Sequence, residues 1–112
     1  TKIVDQCQNA GVKVMILTST MIGEDKDNPN NKKLAIYNGF LRELAKEKKC
    51  LLADLNTDMQ SIIETSSDKK NGKLLTSDGV HMNPDGNKMM AVGVLRAFGL
   101  NAEQVKAAQA AW

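Results

Sequence analysis

Aromatic residues, cysteine, histidine and proline are all scarce in this chain of 112 residues, which has the length of one ordinary domain. Two phenylalanines, one tyrosine and one tryptophan, with a net charge of only +2, argue against the basic, aromatic-rich surface that binds nucleic acid. No apolar run approaches the roughly 20 residues that cross a bilayer, so we expect no membrane span in these residues. No targeting segment is visible among them either, although a leader could have been removed upstream of Thr1. The apolar content of 42% and the charged content of 25% are typical of a globular protein.

The two cysteines, Cys7 and Cys50, lie far apart in the sequence and have no CxxC spacing or histidine cluster around them. This arrangement does not predict a zinc site. Two buried, reduced thiols are the favoured interpretation, because a free cysteine packs as a small hydrophobic residue. A disulfide between them is the alternative.

The first half of the chain alternates helical and strand-like patterns. Residues 1–10 have helical spacing that stops at Gly11, and the apolar segment 12–18 is typical of a strand buried on both faces of a parallel sheet. Segment 50–55 predicts a second short buried strand, after a helix over residues 32–49. That helix carries one apolar stripe, which we expect to face the core: Leu34, Tyr37, Phe40, Leu41, Leu44 and Ala45.

Two polar segments and one helix complete this region. Residues 19–31 are rich in Asp and Asn, but Pro29 and Asn30 break the spacing of a calcium loop, so we expect a solvated loop. Asn56 is predicted to cap a helix that buries Met59 and its neighbours. Residues 66–77 are expected to form a polar loop.

The C-terminal third has clear helix signals. Asn83 and Pro84 predict a helix start, and Gly99 predicts its end in a Schellman motif after Phe98. The residues that would pack closely along this helix are Gly86, Met90, Gly93 and Ala97. Asn101 and Gln104 form the pattern of a capping box that begins a last short helix. The order of elements predicts the α/β class with a parallel sheet.

The single histidine, His81, follows Asp78 by three residues and directly precedes this helix start. In a tight loop the carboxylate reaches the imidazole Nδ1, holds the ring in one tautomer and leaves Nε2 free as a general base. A surface histidine in a turn is the simpler interpretation of the spacing alone. A metal site made of Asp78, His81, Asn83 and Asp85 is a weak alternative, because helix capping already explains the last two residues.

The segment SDGVHMNPDG, with its amphipathic helix near the C-terminus, resembles the last block of the SGNH (GDSL-type) hydrolase superfamily. That block is D-x-x-H, here Asp78-Gly79-Val80-His81. VKVMILTST is similar to the family's penultimate core strand, and residues 30–55 are similar to the helix and last strand that follow. The resemblance implies a flavodoxin-like three-layer α/β/α sandwich with a parallel sheet, a secreted or periplasmic location and ester hydrolysis without a cofactor. In that reaction Asp78 orients His81, and His81 activates a serine.

The family's G-D-S nucleophile block and its Gly and Asn oxyanion blocks have no counterpart in this sequence. No serine here has such a context, and Ser77 is too close to His81 to stand on a nucleophile elbow. Because the chain also opens in mid-helix without a methionine, we expect residues 1–112 to be the C-terminal portion of a single SGNH-type hydrolase domain. Its partners would then be the missing N-terminal segment and an ester substrate, with an acetylated carbohydrate as the first candidate. The alternative is a non-catalytic flavodoxin-like binding or structural module in which the Asp–His pair is incidental.

Overall fold

The computed structural model describes residues 1–67 and 73–112, and it confirms the α/β class with a parallel sheet. Strand β1 (Met15–Leu17) pairs with strand β2 (Leu51–Ala53) in parallel, with Ile16 opposite Leu52. Both strands are shorter than the predicted segments 12–18 and 50–55. The elements follow in the order α1 (Lys2–Asn9), β1 (Met15–Leu17), α2 (Pro29–Glu47), β2 (Leu51–Ala53), α3 (Leu55–Thr65), α4 (Pro84–Ala97) and α5 (Ala102–Gln109).

Helices pack on both faces of the sheet, but they cover it unequally. Ile16 and Leu52 point to the face covered by α1 and α2, where they meet Val4, Leu44 and Ala45. Since successive strand residues point to opposite faces, Ala53 points to the other face, and α4 packs against β2 there.

The prediction that both strands are buried on both faces is wrong. Leu17 is 42% exposed and Leu51 is 38% exposed. The reason is geometric: in a sheet of two strands each strand has one neighbour, and the helices contributed by the described residues leave these side chains partly uncovered.

Helix α2 differs from its prediction in its start and in its buried face. It begins at Pro29, capped by the Asn28 side chain, and not at residue 32. Tyr37 and Phe40, predicted to lie in the core, are 52% and 55% exposed. Asn31 and Asn38 are buried in their place, because their amides bind the loop that precedes the helix.

That loop, residues 18–28, is called the β1–α2 loop below. The expectation of a solvated loop over residues 19–31 holds for residues 25–27, which are exposed, but not for the start of the segment. Thr18 and Met21 are only 2% exposed. The Asn38 side chain accepts a hydrogen bond from the Ser19 N–H (2.8 Å) and donates one to the Ser19 carbonyl (3.0 Å). Buried backbone groups must find partners, and side-chain amides supply them here.

The start of α3 also corrects a prediction. Its N-cap is Asp54, whose carboxylate accepts from the Thr57 N–H, and not Asn56. Asn56 lies inside the helix and donates its side-chain amide to the Ser19 carbonyl at 3.0 Å. Both residue types cap helices well, so the sequence alone did not separate two candidates two positions apart.

The C-terminal helices match their predictions closely. Asn83 caps α4 by accepting from the Gly86 N–H, and the Leu100 N–H reaches the Leu95 carbonyl (3.2 Å) in a Schellman motif, with Gly99 at φ +96°. The capping box that begins α5 is complete. Cys7 and Cys50 are free and half-buried, and part of the predicted 66–77 loop lies outside the described residues.

A second apolar core lies between the β1–α2 loop, α3 and α4. Its fully buried members are Met21, Met59, Leu75 and Met89, and Met82 and Met90 pack against them half-buried. Leu75 lies at the start of the segment that carries the candidate site.

Candidate active site

Residues 75–83 form a short closed hairpin, called the histidine hairpin below. The Ser77 N–H donates to the His81 carbonyl at 2.9 Å, and the Asn83 N–H donates to the Leu75 carbonyl at 3.0 Å. Thr76 and Met82 form an isolated antiparallel bridge between these two bonds. Asp78 and His81 therefore stand at the tip of a hairpin whose base is tied to α4.

Local hydrogen bonds fix the backbone at this tip. The Asp78 Oδ1 accepts from the Val80 N–H at 2.9 Å and from the His81 N–H at 2.7 Å, which is an Asx turn. Gly79 has φ +94°, a backbone conformation that residues other than glycine rarely adopt. The sequence Asp-Gly at this point thus dictates a turn that brings residue 81 back over residue 78.

The second carboxylate oxygen of Asp78 contacts the imidazole. The distance from Asp78 Oδ2 to His81 Nδ1 is 2.6 Å, and the side chains are 53% and 80% exposed. This hydrogen bond and the negative charge raise the pKa of His81 above its usual 6.5, and the same bond lowers the pKa of Asp78. The ring is held by Nδ1 and exposed to solvent, so Nε2 is available to a substrate or a nucleophile.

The other predicted residues have structural partners. The Asn83 side-chain oxygen Oδ1 caps α4, and the side-chain nitrogen Nδ2 donates to the Leu74 carbonyl at 3.0 Å. The Ser77 hydroxyl lies 3.3 Å from the His81 carbonyl oxygen, which supports the local role expected for it. Within residues 1–67 and 73–112, no three metal-ligating side chains come together, so the structure does not bring the alternative metal set into a site.

Sequence reasoning missed Glu24, which contacts the base of the histidine hairpin. Its carboxylate accepts from the backbone of Leu74, Leu75 and Thr76. In the sequence Glu24 lies in an acid-rich segment that reads as solvated, and its partners are about fifty positions away, so no local pattern reveals the contact. The neighbouring Gly23 adopts φ +69° in an ordered turn, and a glycine next to Glu24 is a sequence signal that is compatible with such a turn.

Comparison with solved structures finds the same fold in part of several hydrolases. The chain is similar to Axe2, an acetylxylan esterase from Geobacillus stearothermophilus, with a TM-score of 0.77 and 19% identity over 89% of this chain and 44% of that one. It is similar to the acetyl xylan esterase AlAXEase, with a TM-score of 0.77 and 29% identity over 86% and 50% of the two chains. LAE5, an alpha/beta hydrolase enzyme from the metagenome of Lake Arreo, Spain, gives a TM-score of 0.70 and 21% identity over 89% and 46%.

The chain thus spans about half the length of these proteins or less, and it shares their fold over most of its own length. The resemblance to SGNH-type esterases is confirmed at the level of the fold. No protein-family model and no curated protein matches the sequence. In the part of the chain that the structure describes, no helix combines the length and the apolar character needed to cross a membrane.

Proposed function

We propose that this chain supplies the acid–base half of an SGNH-type serine esterase, with Asp78 as the orienting carboxylate and His81 as the general base. The observation that carries the proposal is the 2.6 Å contact between Asp78 Oδ2 and His81 Nδ1 on a ring that is 80% exposed. Nε2 would take the proton from a serine hydroxyl as the oxygen attacks an ester carbonyl, and would then return it to the leaving alcohol. Asp78 stabilises the imidazolium that forms between these steps.

The nucleophile and the oxyanion donors are proposed to lie in a segment outside these 112 residues, whose addition would complete a flavodoxin-like sandwich. Two solved forms of Axe2 are catalytic variants, one at a serine near its N-terminus and one at a histidine, both replaced by alanine. Those two positions are further apart in that chain than the whole length of this one. The same separation here would leave the histidine inside this chain and the serine outside it.

Acetylated carbohydrate is the substrate class that we propose, since acetylxylan esterases share the fold. The exposed imidazole agrees with a large, hydrated substrate, because a polymer-borne acetyl group must reach Nε2 without passing through a narrow cavity. This step needs no cofactor: the serine oxygen–acyl bond forms, the ester bond breaks, and His81 carries the proton.

The test is an esterase assay on the parent polypeptide that contains this chain. With a small acetyl ester and an acetylated xylo-oligosaccharide as substrates, His81→Ala should lower kcat by about 1,000-fold or more, and Asp78→Asn by about 100-fold or more. Glu43→Gln is the control, because it removes an exposed carboxylate on α2, outside the hairpin and the β1–α2 loop, and it should leave kcat unchanged.

Residues 1–112 alone should show no turnover, because nucleophile, base and oxyanion donors must lie within contact distance of one another. If His81→Ala retained wild-type turnover in the parent, the assignment would be wrong, and the non-catalytic module would be the better interpretation. Turnover by residues 1–112 alone would equally contradict a nucleophile outside them.

A further inference from the structure

Glu24 binds the first strand of the histidine hairpin with both carboxylate oxygens. Oε2 accepts from the Leu74 N–H at 2.6 Å, and Oε1 accepts from the N–H groups of Leu75 and Thr76 at 2.8 Å each. The Thr76 hydroxyl adds a fourth donor at 2.8 Å. Hydrogen bonds to a charged acceptor are about twice as strong as neutral ones, so a single side chain here fixes three consecutive residues.

The neighbouring residue, Gly23, holds the tip of the same hairpin. Its N–H donates to the Gly79 carbonyl at 2.6 Å, between Asp78 and His81. A Cβ added at Gly79 would lie 3.7 Å from the Gly23 Cα, so the two backbones pass in close contact. Gly23 therefore hydrogen-bonds to the tip of the hairpin, and Glu24 hydrogen-bonds to its base.

The β1–α2 loop that carries this dipeptide is itself anchored. The Asn31 side chain accepts from the Ile22 N–H at 2.8 Å and donates to the carbonyls of Ile22, Gly23 and Asp25 at 2.7–3.2 Å. Asn31 is 8% exposed and belongs to helix α2. A continuous set of hydrogen bonds thus runs from α2 through Gly23 and Glu24 to the hairpin.

We infer that Glu24 is a positioning residue for the general base: it fixes the direction in which His81 presents Nε2, through the backbone of the hairpin. This inference rests on the proposed function, because direction matters only if the ring serves a nucleophile. The hydrogen bond between the Asp78 and His81 side chains joins two residues of the same turn, so it does not depend on Glu24. It sets the proton affinity of the ring but leaves the orientation of the whole hairpin to contacts such as those of Glu24.

Both the charge and the length of the Glu24 side chain are needed to accept hydrogen bonds from all four donors. Glutamine has one acceptor oxygen, and its NH2 group would face backbone N–H donors that need an acceptor. Aspartate keeps the charge but is shorter by one methylene, so it reaches only part of the donor set. The series Glu, Asp, Gln at position 24 therefore weakens these hydrogen bonds to the hairpin in steps.

The first experiment measures turnover in the parent polypeptide. Glu24→Gln should lower kcat by about 10- to 100-fold with little change in KM, since a displacement of about 1 Å has effects of that size. Glu24→Asp should recover part of the loss. The midpoint of the pH–activity profile should stay at its wild-type value, because the Asp78–His81 pair remains intact. Glu43→Gln is the control, since Glu43 is exposed on α2, outside the β1–α2 loop and the hairpin.

The outcomes distinguish a role of Glu24 in positioning His81 from a role in stabilising the fold alone. If Glu24→Gln lowers the melting temperature but leaves kcat unchanged well below it, the inference is wrong. If His81→Ala abolishes turnover and both Glu24 variants keep wild-type kcat, the inference fails and the proposed function stands. If His81→Ala itself keeps turnover, the proposed function fails first. Should Glu24→Gln not fold, the kcat of Glu24→Asp decides by the same criteria.

Discussion

The charge of the His81 imidazole is set by one neighbour. Asp78 bonds its Nδ1 directly, and both side chains are exposed, so the raised pKa of His81 comes from the bond and the charge and not from burial. A group with a raised pKa stabilises the fold below its unfolded-state pKa, near 6.5, and loses that contribution as pH rises through its folded-state value. A general base must be neutral, so esterase activity should rise with pH through this same raised value.

The pKa of His81 can be measured without ambiguity, because the chain contains one histidine. In an NMR titration of residues 1–112, the Hε1 resonance should titrate above pH 6.5. Asp78→Asn should shift the midpoint to lower pH, because the amide cannot supply the negative charge. Asp85→Asn removes a nearby acid in the sequence and should change the midpoint little. Equal midpoints for wild type and Asp78→Asn would contradict the bond seen here.

At the scale of elements, α4 and the histidine hairpin meet through a glycine. A Cβ added at Gly86 would lie 2.1 Å from the Leu75 carbonyl oxygen and 2.8 Å from the Met82 sulfur. Backbone cannot move aside as a flexible side chain can, so the two segments approach closely only because residue 86 has no side chain.

Gly86→Ala should therefore lower the free energy of unfolding by about 1–3 kcal/mol. Gly39→Ala is the matched control: Gly39 lies inside α2, and nothing lies within 4 Å of a Cβ added there. That variant should be more stable than wild type by about 0.5–1 kcal/mol, because alanine favours the helix. Urea unfolding of residues 1–112 measures both, and equal stability of the two variants would argue against the close contact.

How far the elements could be predicted depends on the range of the interactions that define them. Asn83, Gly99 and the Asn101–Gln104 box act within a few positions, and the structure confirms each of them. Asp78 and His81 are also neighbours in sequence, so their contact was accessible. Glu24 was not, because its partners lie far along the chain.

The errors have the same physical origin. Tyr37 and Phe40 were assigned to the core on periodicity, whereas α2 turns its asparagines inward to satisfy the β1–α2 loop. A helix pattern shows which side chains share a face but not which face meets buried backbone. Asp54, and not Asn56, is the N-cap of α3, and it also binds Arg42 on α2, a contact that no local pattern reveals.

For the whole molecule, an ion pair with further hydrogen bonds around it joins α2 to the start of α3. Arg42 holds Asp54 at 2.7 Å and 2.9 Å through two nitrogens. Burial alone would raise the pKa of Asp54, but hydrogen bonds from Arg42, Thr18 and Thr57 lower it to about 2. The stability that this carboxylate contributes is present above pH 4 and is lost as pH falls through about 2.

Acid unfolding of residues 1–112 should show this directly. Between pH 5 and pH 2 the wild-type chain should lose about 2 kcal/mol through Asp54, and Asp54→Asn should lose that part of the pH dependence. Glu64→Gln, which removes the exposed Lys26–Glu64 pair, is the control, and its stability should follow the wild-type pH curve. Identical acid limbs for wild type and Asp54→Asn would contradict the assignment.

Five of the six methionines belong to the second core, beneath the histidine hairpin. Thioethers fill irregular space well, but oxidants convert them to sulfoxides, which are polar and larger. Met82 and Met90 are half-buried and are the most exposed methionines of this core, whereas Met59 is fully buried. Peroxide or aged aerobic stocks would therefore modify the rim of this sulfur-rich core before its centre, and the damage would reach the hairpin through Leu75.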